Sequence, residues 1–415
     1  GAICTILFLS AATIMLFMRN DRISKLKKAY FTDPLTKHGN MLAFEEQGQQ
    51  LLSDAAGGTY LVAYTNVSNF RYINETYGYE SGDRLIVTLA RLLDSACRRN
   101  ELAAHDNADH FVLLLHNEPQ RIERLLGHVE AELRSTPELH FTGVLALGCG
   151  VCEAENPGNS IPLLVSNAIA VMKEIPGKKG IARYDQSFRN ALELKNRIER
   201  HADQALAMRE FRLYLQPKNL LGDGTLAGAE ALARWESPEL GFLPPDTFIP
   251  LFEKNGFIVQ LDFYMLKRVC QSYPMKVPGT GAALVVSVNF SRVTIMHESF
   301  IERLLRVVDS ARIPHEVIEV EVTESAFVMD EEAVIGKLKK LKELGFRLAM
   351  DDFGTGYSSL NLLRKLPIDV LKIDRSFLAE GTDPLRSRSV LKGVLDMADD
   401  LGLVTVCEGV ETEEQ

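Results

Sequence analysis

Glu230, Asn289, Glu321, Asp351 and Asp352 are all hard oxygen donors, and no Cys or His stands among them. Such a set suits Mg²⁺ or Mn²⁺ far better than zinc or copper. It also holds more donors than one Mg²⁺ usually takes from protein, because that ion keeps several waters. The adjacent Asp351 and Asp352 can serve two ions at once, and a two-metal clamp is a standard device for in-line displacement at phosphorus. Lys372 cannot coordinate a cation while protonated. It can orient or deprotonate the attacking water, or stabilise the charge gathering on phosphoryl oxygens. Together these residues predict a metal-dependent phosphohydrolase.

The elements that must carry them are short β-type runs: "FRLYLQP", "AGAEALARW", "GAALVVSVNFS", "VIEVEVTES", "FRLAMDDFG", "IDVLKID" and "LVTVCEGV". Helix-length segments separate them. Each run ends in a polar residue where the strand gives out: Gln216, Glu230, Asn289, Glu321, Asp351, Lys372 and Glu408. Strand, then helix, with a polar residue at each strand's carboxyl end is how a (β/α) barrel builds its active face.

A second cluster lies earlier, in "HDNADHFVLLL", residues 105 to 115. His105, Asp106, Asp109 and His110 stand within six positions. They are either a metal or acid/base cluster, or what remains of a site that has stopped working. Around them, "TYLVAYTNV", "FVLLLH" and "FTGVLALGCGV" read as strands, and "RLIVTLARLLDSACRR" and "RIERLLGHVEAELRS" as amphipathic helices. This is an α/β unit of ordinary domain size. The charged stretch "NALELKNRIERHADQALAMREF" follows it as a bridging helix.

With 415 residues, 46% of them hydrophobic, the chain can bury at least two domain cores. A net charge of -10 argues against a nucleic-acid binder held by phosphate neutralisation. The six cysteines are scattered and form no disulfide framework. Cys149 and Cys152 would face opposite sides of a strand, so their C-x-x-C spacing reads as structural. The run "AICTILFLSAATIMLFM", residues 2 to 18, carries no charge and is long enough to reach across a bilayer. The basic cluster "RNDRISKLKK" comes after it, which by the positive-inside rule puts everything downstream in the cytoplasm. With a first residue other than Met, the chain is expected to be the tail of a longer membrane protein.

"AEALARW", "SVNFS", "VEVTES", "MDDFGTGYSSL", "LKIDRSF" and "EGVETEEQ" resemble the EAL domain family, the bacterial cyclic di-GMP phosphodiesterases. The resemblance runs from about Ala191 to the last residue. It implies a (β/α)8, TIM-like barrel that opens cyclic di-GMP to linear pGpG with Mg²⁺ or Mn²⁺. By motif match, Glu230, Asn289, Glu321, Asp351 and Glu408 would be metal ligands, with Asp352 at the second metal and Lys372 at the attacking water. Gln216 and Arg234 would contact the nucleotide. Glu324 would brace the loop "DDFGTGYSSL", which in this family couples metal binding to dimer contacts. Two departures are mild: Lys218 replaces an aliphatic residue, and Cys407 an alanine. The eighth strand and a family glutamine would lie beyond Gln415.

"TDPLTKHGNM", "TNVSNFRYINETYGYESGD" and "NADHFVLLL" are similar to the GGDEF domain, a nucleotidyl-cyclase-like α/β fold that makes cyclic di-GMP. The family's first metal acid falls on Asn66, and its neighbour on Ser68. The signature becomes Asn107-Ala108-Asp109-His110-Phe111, with only Asp109 and Phe111 kept. An amide in place of a carboxylate removes charge from a cation site, so no cyclase activity is expected. Feedback binding is likewise not expected, since Arg98-x-x-Glu101 stands where Arg-x-x-Asp would. Asn74 and Asp83 match the positions that read guanine. The domain is either a regulatory module that senses GTP or relays motion, or an inert spacer.

The expected layout is therefore α/β throughout. Residues 1–20 are the end of a transmembrane region, 21–32 a helical linker, 33–185 a degenerate GGDEF domain and 186–415 a C-terminally truncated EAL domain. The expected setting is the bacterial inner membrane, with both domains cytoplasmic, cyclic di-GMP as substrate, a homodimer through the EAL domain and no direct nucleic-acid binding. A receptor that binds cyclic di-GMP without cleaving it is the alternative.

Overall fold

The computed structural model describes residues 28–415, apart from 138, 140–144, 157, 176–178, 274, 278–280, 282, 328–329, 355–359, 379–383 and 413–414. The apolar run at residues 2–18, with the membrane anchor expected there, lies outside the described residues. Among the described residues no helix is long and apolar enough to cross a membrane. The chain divides into two units, residues 1–193 and 194–415.

The first unit runs α1 (Met41–Ser53), β1 (Tyr60–Val67), α2 (Phe70–Tyr77), α3 (Tyr79–Ala96), β2 (Leu102–His105), β3 (Phe111–His116), α4 (Arg121–Ser135), β4 (Leu147–Glu153), α5 (Ile161–Lys173) and β5 (Gly180–Arg183). Its sheet has the order β2-β3-β1-β4-β5 and is antiparallel except between β4 and β5. Every residue of β1 is buried, because helices cover both faces. Leu61, Ala63 and Val67 pack with Leu85, Leu89, Ile122 and Val129 on one side. Tyr60, Val62 and Tyr64 pack with Phe44, Ile161, Leu164 and Ala168 on the other. A strand covered twice has no solvent face to show, so β1 is apolar from Tyr60 to Tyr64 and buries even Thr65 and Asn66. Cys149 and Cys152 fall into the two opposite clusters, as the two-residue period requires. Helix α5 crosses β4 so closely that a Cβ on Gly150 would stand 1.9 Å from the Ala168 carbonyl oxygen.

The second unit begins within α6 (Gln186–Ala207). It continues through β6 (Phe211–Asn219), β7 (Leu226–Ser237), β8 (Gly241–Leu243), α7 (Pro245–Asn255), α8 (Ile258–Ser272), β9 (Val285–Asn289), α9 (Arg292–Met296), α10 (Phe300–Ser310) and β10 (Ile318–Thr323). The last elements are α11 (Glu331–Glu343), β11 (Arg347–Phe353), α12 (Leu360–Lys365), β12 (Val370–Ile373), α13 (Pro384–Asp400) and β13 (Val404–Cys407). All seven apolar runs form strands, ordered β13-β12-β11-β10-β9-β7-β6, with β8 on β7. Neighbours are parallel from β13 to β7. The sheet is open, a partial barrel with β6 and β13 at its edges among the described residues.

Two expectations about the strands need correction. The first connection is a hairpin, and β6 runs antiparallel to β7. Asp223 Oδ1 accepts from Thr225 N at 3.0 Å and from Thr225 Oγ1 at 2.7 Å, closing the turn with Gly224 at φ +69°. A parallel crossover needs a dozen or more residues, and this link is far shorter. Consequently Glu230 stands in the middle of the 12-residue β7, opposite Gln216, rather than at a strand's carboxyl end.

Alternation then sorts the side chains. Val286, Val288, Val320, Val322, Leu348, Met350 and Leu371 face the helices in the apolar core. Ser287, Glu319, Glu321 and Lys372, also buried, occupy the opposite parity and face inward. One irregularity matters. The β11–β12 register slips between Met350 and Phe353, and Asp352 adopts φ +56°. The extra residue of this bulge turns Asp351 and Asp352 to the same side, which a regular strand forbids.

Asp262 of α8 is buried and accepts from Ser291 N at 3.0 Å and Thr294 Oγ1 at 2.6 Å, which anchors the chain just past β9. Burial pushes its carboxyl up to about 7, against the pull of those two bonds. A raised acid pKa means that folding favours the protonated form. Its contribution is complete below the ordinary value of about 4 and is lost as pH rises through about 7. Asp262→Asn keeps an acceptor oxygen without the charge. Its melting temperature should exceed the parent's by more at pH 8 than at pH 5; an equal shift at both would contradict this account.

Candidate metal centre

Lys372 of β12 is one of the most buried side chains in the chain, with 1% of its surface exposed. Its Nζ meets Glu230 Oε2 at 2.9 Å, Glu321 Oε2 at 3.1 Å, Asp351 Oδ2 at 3.0 Å and Glu408 Oε1 at 2.8 Å. These carboxylates come from β7, β10, β11 and the residue just after β13. Glu408 is fixed there by its backbone N–H, which donates to the Ile373 carbonyl at 3.1 Å. Asn289, at the end of β9, donates from Nδ2 to Glu230 Oε1 at 2.8 Å, leaving its carbonyl oxygen for a cation.

The acids form two groups: Glu230, Glu321 and Asp351, and Asp351, Asp352 and Glu408. Within each group one oxygen per residue lies within 4.8 Å of the others, and Asp351 belongs to both. All donors are carboxylate oxygens, the set a hard divalent cation prefers. These residues therefore fit two such ions sharing Asp351.

Burial pushes Glu321 up to about 7 despite Lys372 beside it, and Asp351 up to about 6 for the same reason. Burial acts on Glu230 too, but there the Lys372 ammonium prevails and holds the carboxyl below its ordinary value. Asp352 is raised by burial and by the neighbouring Glu408 charge. Lys372 itself would be depressed by burial, yet Glu321, Asp351 and Glu230 outweigh that and keep it an ammonium. In this arrangement it has no lone pair to accept a proton. Of the roles open to it, orientation and charge stabilisation suit the geometry.

The remaining expected residues lie nearby on the same elements. Gln216 pairs with Glu230 in register and is exposed. Arg234 lies four residues beyond Glu230 on the same face of β7, with its guanidinium 6.0 Å from the Tyr214 ring centre. Its neighbour Trp235 is fully buried, donates to Glu210 Oε2 at 2.8 Å and packs against Phe211, Phe248 and Phe252. Glu324, in a short turn after β10, is also buried, and its Oε2 accepts from Gly354 N at 3.0 Å. It thus holds the first residue after β11. The following loop, 355–359, and the dimer contacts expected of it lie outside the described residues.

Lys218 was read as a mild departure, but it belongs to this centre. Its Nζ donates to Ser287 Oγ at 2.5 Å, Glu319 Oε1 at 3.1 Å and Glu321 Oε1 at 2.7 Å. The available signal was strand parity: Lys218 follows Gln216 by two, so both face the same side.

In the first unit no three acids or histidines gather at metal-ligand distance among the described residues, although His110 Nδ1 lies 3.7 Å from Asp109 Oδ1. His105 Nδ1 lies 3.1 Å from Asp33 Oδ1 and its Nε2 lies 3.0 Å from the Ala108 carbonyl oxygen. Asp106 accepts from Tyr64 Oη at 2.6 Å. Asp109 gives Oδ2 to Val67 N at 3.0 Å. Asn66, at the metal-acid position, is buried with its Oδ1 unpaired among the described residues. Asn74 buries its Oδ1 against Gly82, where a Cβ would stand 2.0 Å away, while Asp83 is exposed. Glu101 is sealed in a buried pair with Arg121, at 2.5 Å, and also accepts from the backbone of Arg98 and His116. Burial opposes its charge but these donors prevail, holding the carboxyl down to about 2. It offers nothing to a ligand.

Residues 199–415 match the family model of the EAL domain, and residues 30–180 that of the diguanylate cyclase, GGDEF domain. The chain is 32% identical over 397 residues to the cyclic di-GMP phosphodiesterase NbdA of Pseudomonas aeruginosa, covering 92% of this chain and 50% of NbdA. It spans about half the length of such curated relatives. Among solved structures it is similar to the PaMucR phosphodiesterase in complex with c-di-GMP. There the identity is 35% and the TM-score 0.50, over 52% of this chain and 88% of that one. It shares the fold of the Vibrio cholerae LapD S helix-GGDEF-EAL protein bound to c-di-GMP, with TM-score 0.60 and 19% identity over 96% of this chain and 95% of that one. With both family models matched in order and the acids of the second gathered around one lysine, the chain belongs to the GGDEF–EAL family of cyclic di-GMP signalling proteins.

Proposed function

We propose that the second unit hydrolyses cyclic di-GMP to linear pGpG by in-line attack of water, with two Mg²⁺ or Mn²⁺ ions. The carrying observation is the pair of carboxylate groups that share Asp351 around Lys372. Glu230, Asn289, Glu321, Asp351, Asp352 and Glu408 would hold the ions, which when bound would polarise phosphoryl oxygens and activate water. Asn289 orients Glu230 through its amide. Lys372, kept charged by its neighbours, stabilises negative charge gathering at phosphorus and orients the nucleophile. Gln216 and Arg234, on the same inward face, bind the nucleotide. Glu324 steadies the chain as it leaves β11. The names of NbdA and the PaMucR complex support this substrate.

The first unit, in this reading, makes no cyclic di-GMP. Asn66 supplies an amide where a cation needs a carboxylate, and Asp109 already serves the backbone of Val67. Asn74 and Asp83 bind GTP, so the unit acts as a GTP-sensing or relay module. The uncharged run at residues 2–18 and the basic cluster behind it support anchoring in the bacterial inner membrane, with both units on the cytoplasmic side. The motif "DDFGTGYSSL", which in the EAL family reaches dimer contacts, is the ground for pairing the EAL units as a homodimer.

Incubating the chain with Mn²⁺ and cyclic di-GMP should yield pGpG, and Glu230→Ala should lower turnover by more than about 100-fold, beyond the usual effect of residues behind the ligands. Cyclic di-GMP bound without turnover would make the protein a receptor instead. Titrating GTP against the chain should show saturable binding without cyclic di-GMP formation, and Asn74→Ala should abolish that binding. Absence of saturation at millimolar nucleotide would reduce the first unit to a relay or spacer.

A further inference from the structure

Glu321 is fully buried and uses its two oxygens differently. Oε2 takes the Lys372 ammonium at 3.1 Å, while Oε1 takes the Lys218 ammonium at 2.7 Å. Lys218 has three N–H donors, and all three are placed: on Glu321 Oε1, Glu319 Oε1 and Ser287 Oγ. Ser287 Oγ in turn donates to Glu319 Oε1 at 2.6 Å, and Arg347 Nε stands 3.4 Å from Glu319 Oε2. The ammonium is therefore fixed from three directions.

We propose that Lys218 is a positioning residue for the metal centre, holding Glu321 by Oε1 so that Oε2 alone is presented to a cation. The terminal torsion of a glutamate is broad and roughly two-fold, so an untethered carboxylate turns readily. With Lys218 gone, Oε1 of the fully buried Glu321 loses its donor, and an unpaired buried oxygen is costly. Glu321 would then turn toward the cation side and no longer present one oxygen. This inference rests on the two-cation reading of the centre.

A plainer role is that Lys218 only neutralises Glu319, and two variants separate the possibilities. Lys218→Met removes the ammonium and keeps the stem. Lys218→Met/Glu319→Gln removes it together with the charge it would have balanced, and replacing both members of a buried ion pair is tolerated far better than breaking one. Binding of Mn²⁺ alone is followed by the free-ion EPR signal, and kcat and KM for cyclic di-GMP are measured beside it. Lys218→Met should bind Mn²⁺ about 10- to 100-fold more weakly, the range for residues that orient a ligand. Its kcat should fall while KM stays within about twofold on the same grounds. The double variant should remain as weak, and it decides alone where the single variant does not fold. Parent-like Mn²⁺ binding in the double variant, or in Lys218→Met, would overturn the proposal. A parent chain that itself fails to bind Mn²⁺ would overturn both this inference and the two-cation reading beneath it.

Discussion

Ionised carboxylates gathered inside a protein repel one another strongly unless positive charge stands among them. At about 4 Å, two like charges repel by roughly 4 kcal/mol at the effective dielectric of a protein site. Lys372 supplies that charge to Glu230, Glu321, Asp351 and Glu408 at once. The strands that bring these acids together would otherwise push apart along their inner faces. An ammonium among four acids also marks a place where divalent cations have something to gain. The centre is thus held ready by a monovalent charge and is suited to stronger ones.

The architecture of the second unit keeps that charge on the inner parity of its strands. Valines, leucines and Met350 on the outer parity of β9 to β12 fasten the strands to the helices, which frees the inner parity for charge. The bulge at Asp351 and Asp352 breaks this alternation at one place and puts both acids in one cluster. Behind the centre, Lys218, Ser287 and Glu319 form a second polar layer that touches the first through Glu321. The first unit uses similar residue types to the opposite end. Asp33, Glu101, Asp106 and Asp109 each spend their oxygens on a hydroxyl, a guanidinium, an imidazole or a backbone amide. Its charge holds the fold and leaves no set of acids pointing at a common centre among the described residues.

Much of this could be read from residues alone, and the limits have physical causes. The seven apolar runs announce strands because their composition does so locally, and Glu321, Asp351 and Lys372 stand out as charges beside them. Direction does not announce itself: the turn at Asp223 to Thr225 makes β6 antiparallel and moves Glu230 to mid-strand. The bulge was hidden because Asp352 looks ordinary until its backbone angle is known. Lys218 was passed over because its partners, Ser287, Glu319 and Glu321, lie 69, 101 and 103 residues away. The stretch from His105 to His110 left two readings open. Its composition suggests a site, whereas its register against Asp33, Tyr64 and Val67 commits His105, Asp106 and Asp109 to other partners.

The central claim is that the two acid groups hold separate ions and share Asp351. It is tested most directly by counting Mn²⁺ bound per chain, by native mass spectrometry in the presence of cyclic di-GMP, for the parent and for Asp352→Asn. Asp352 belongs only to the group with Asp351 and Glu408. The account predicts two ions in the parent and one in the variant. A single ion in both would contradict it.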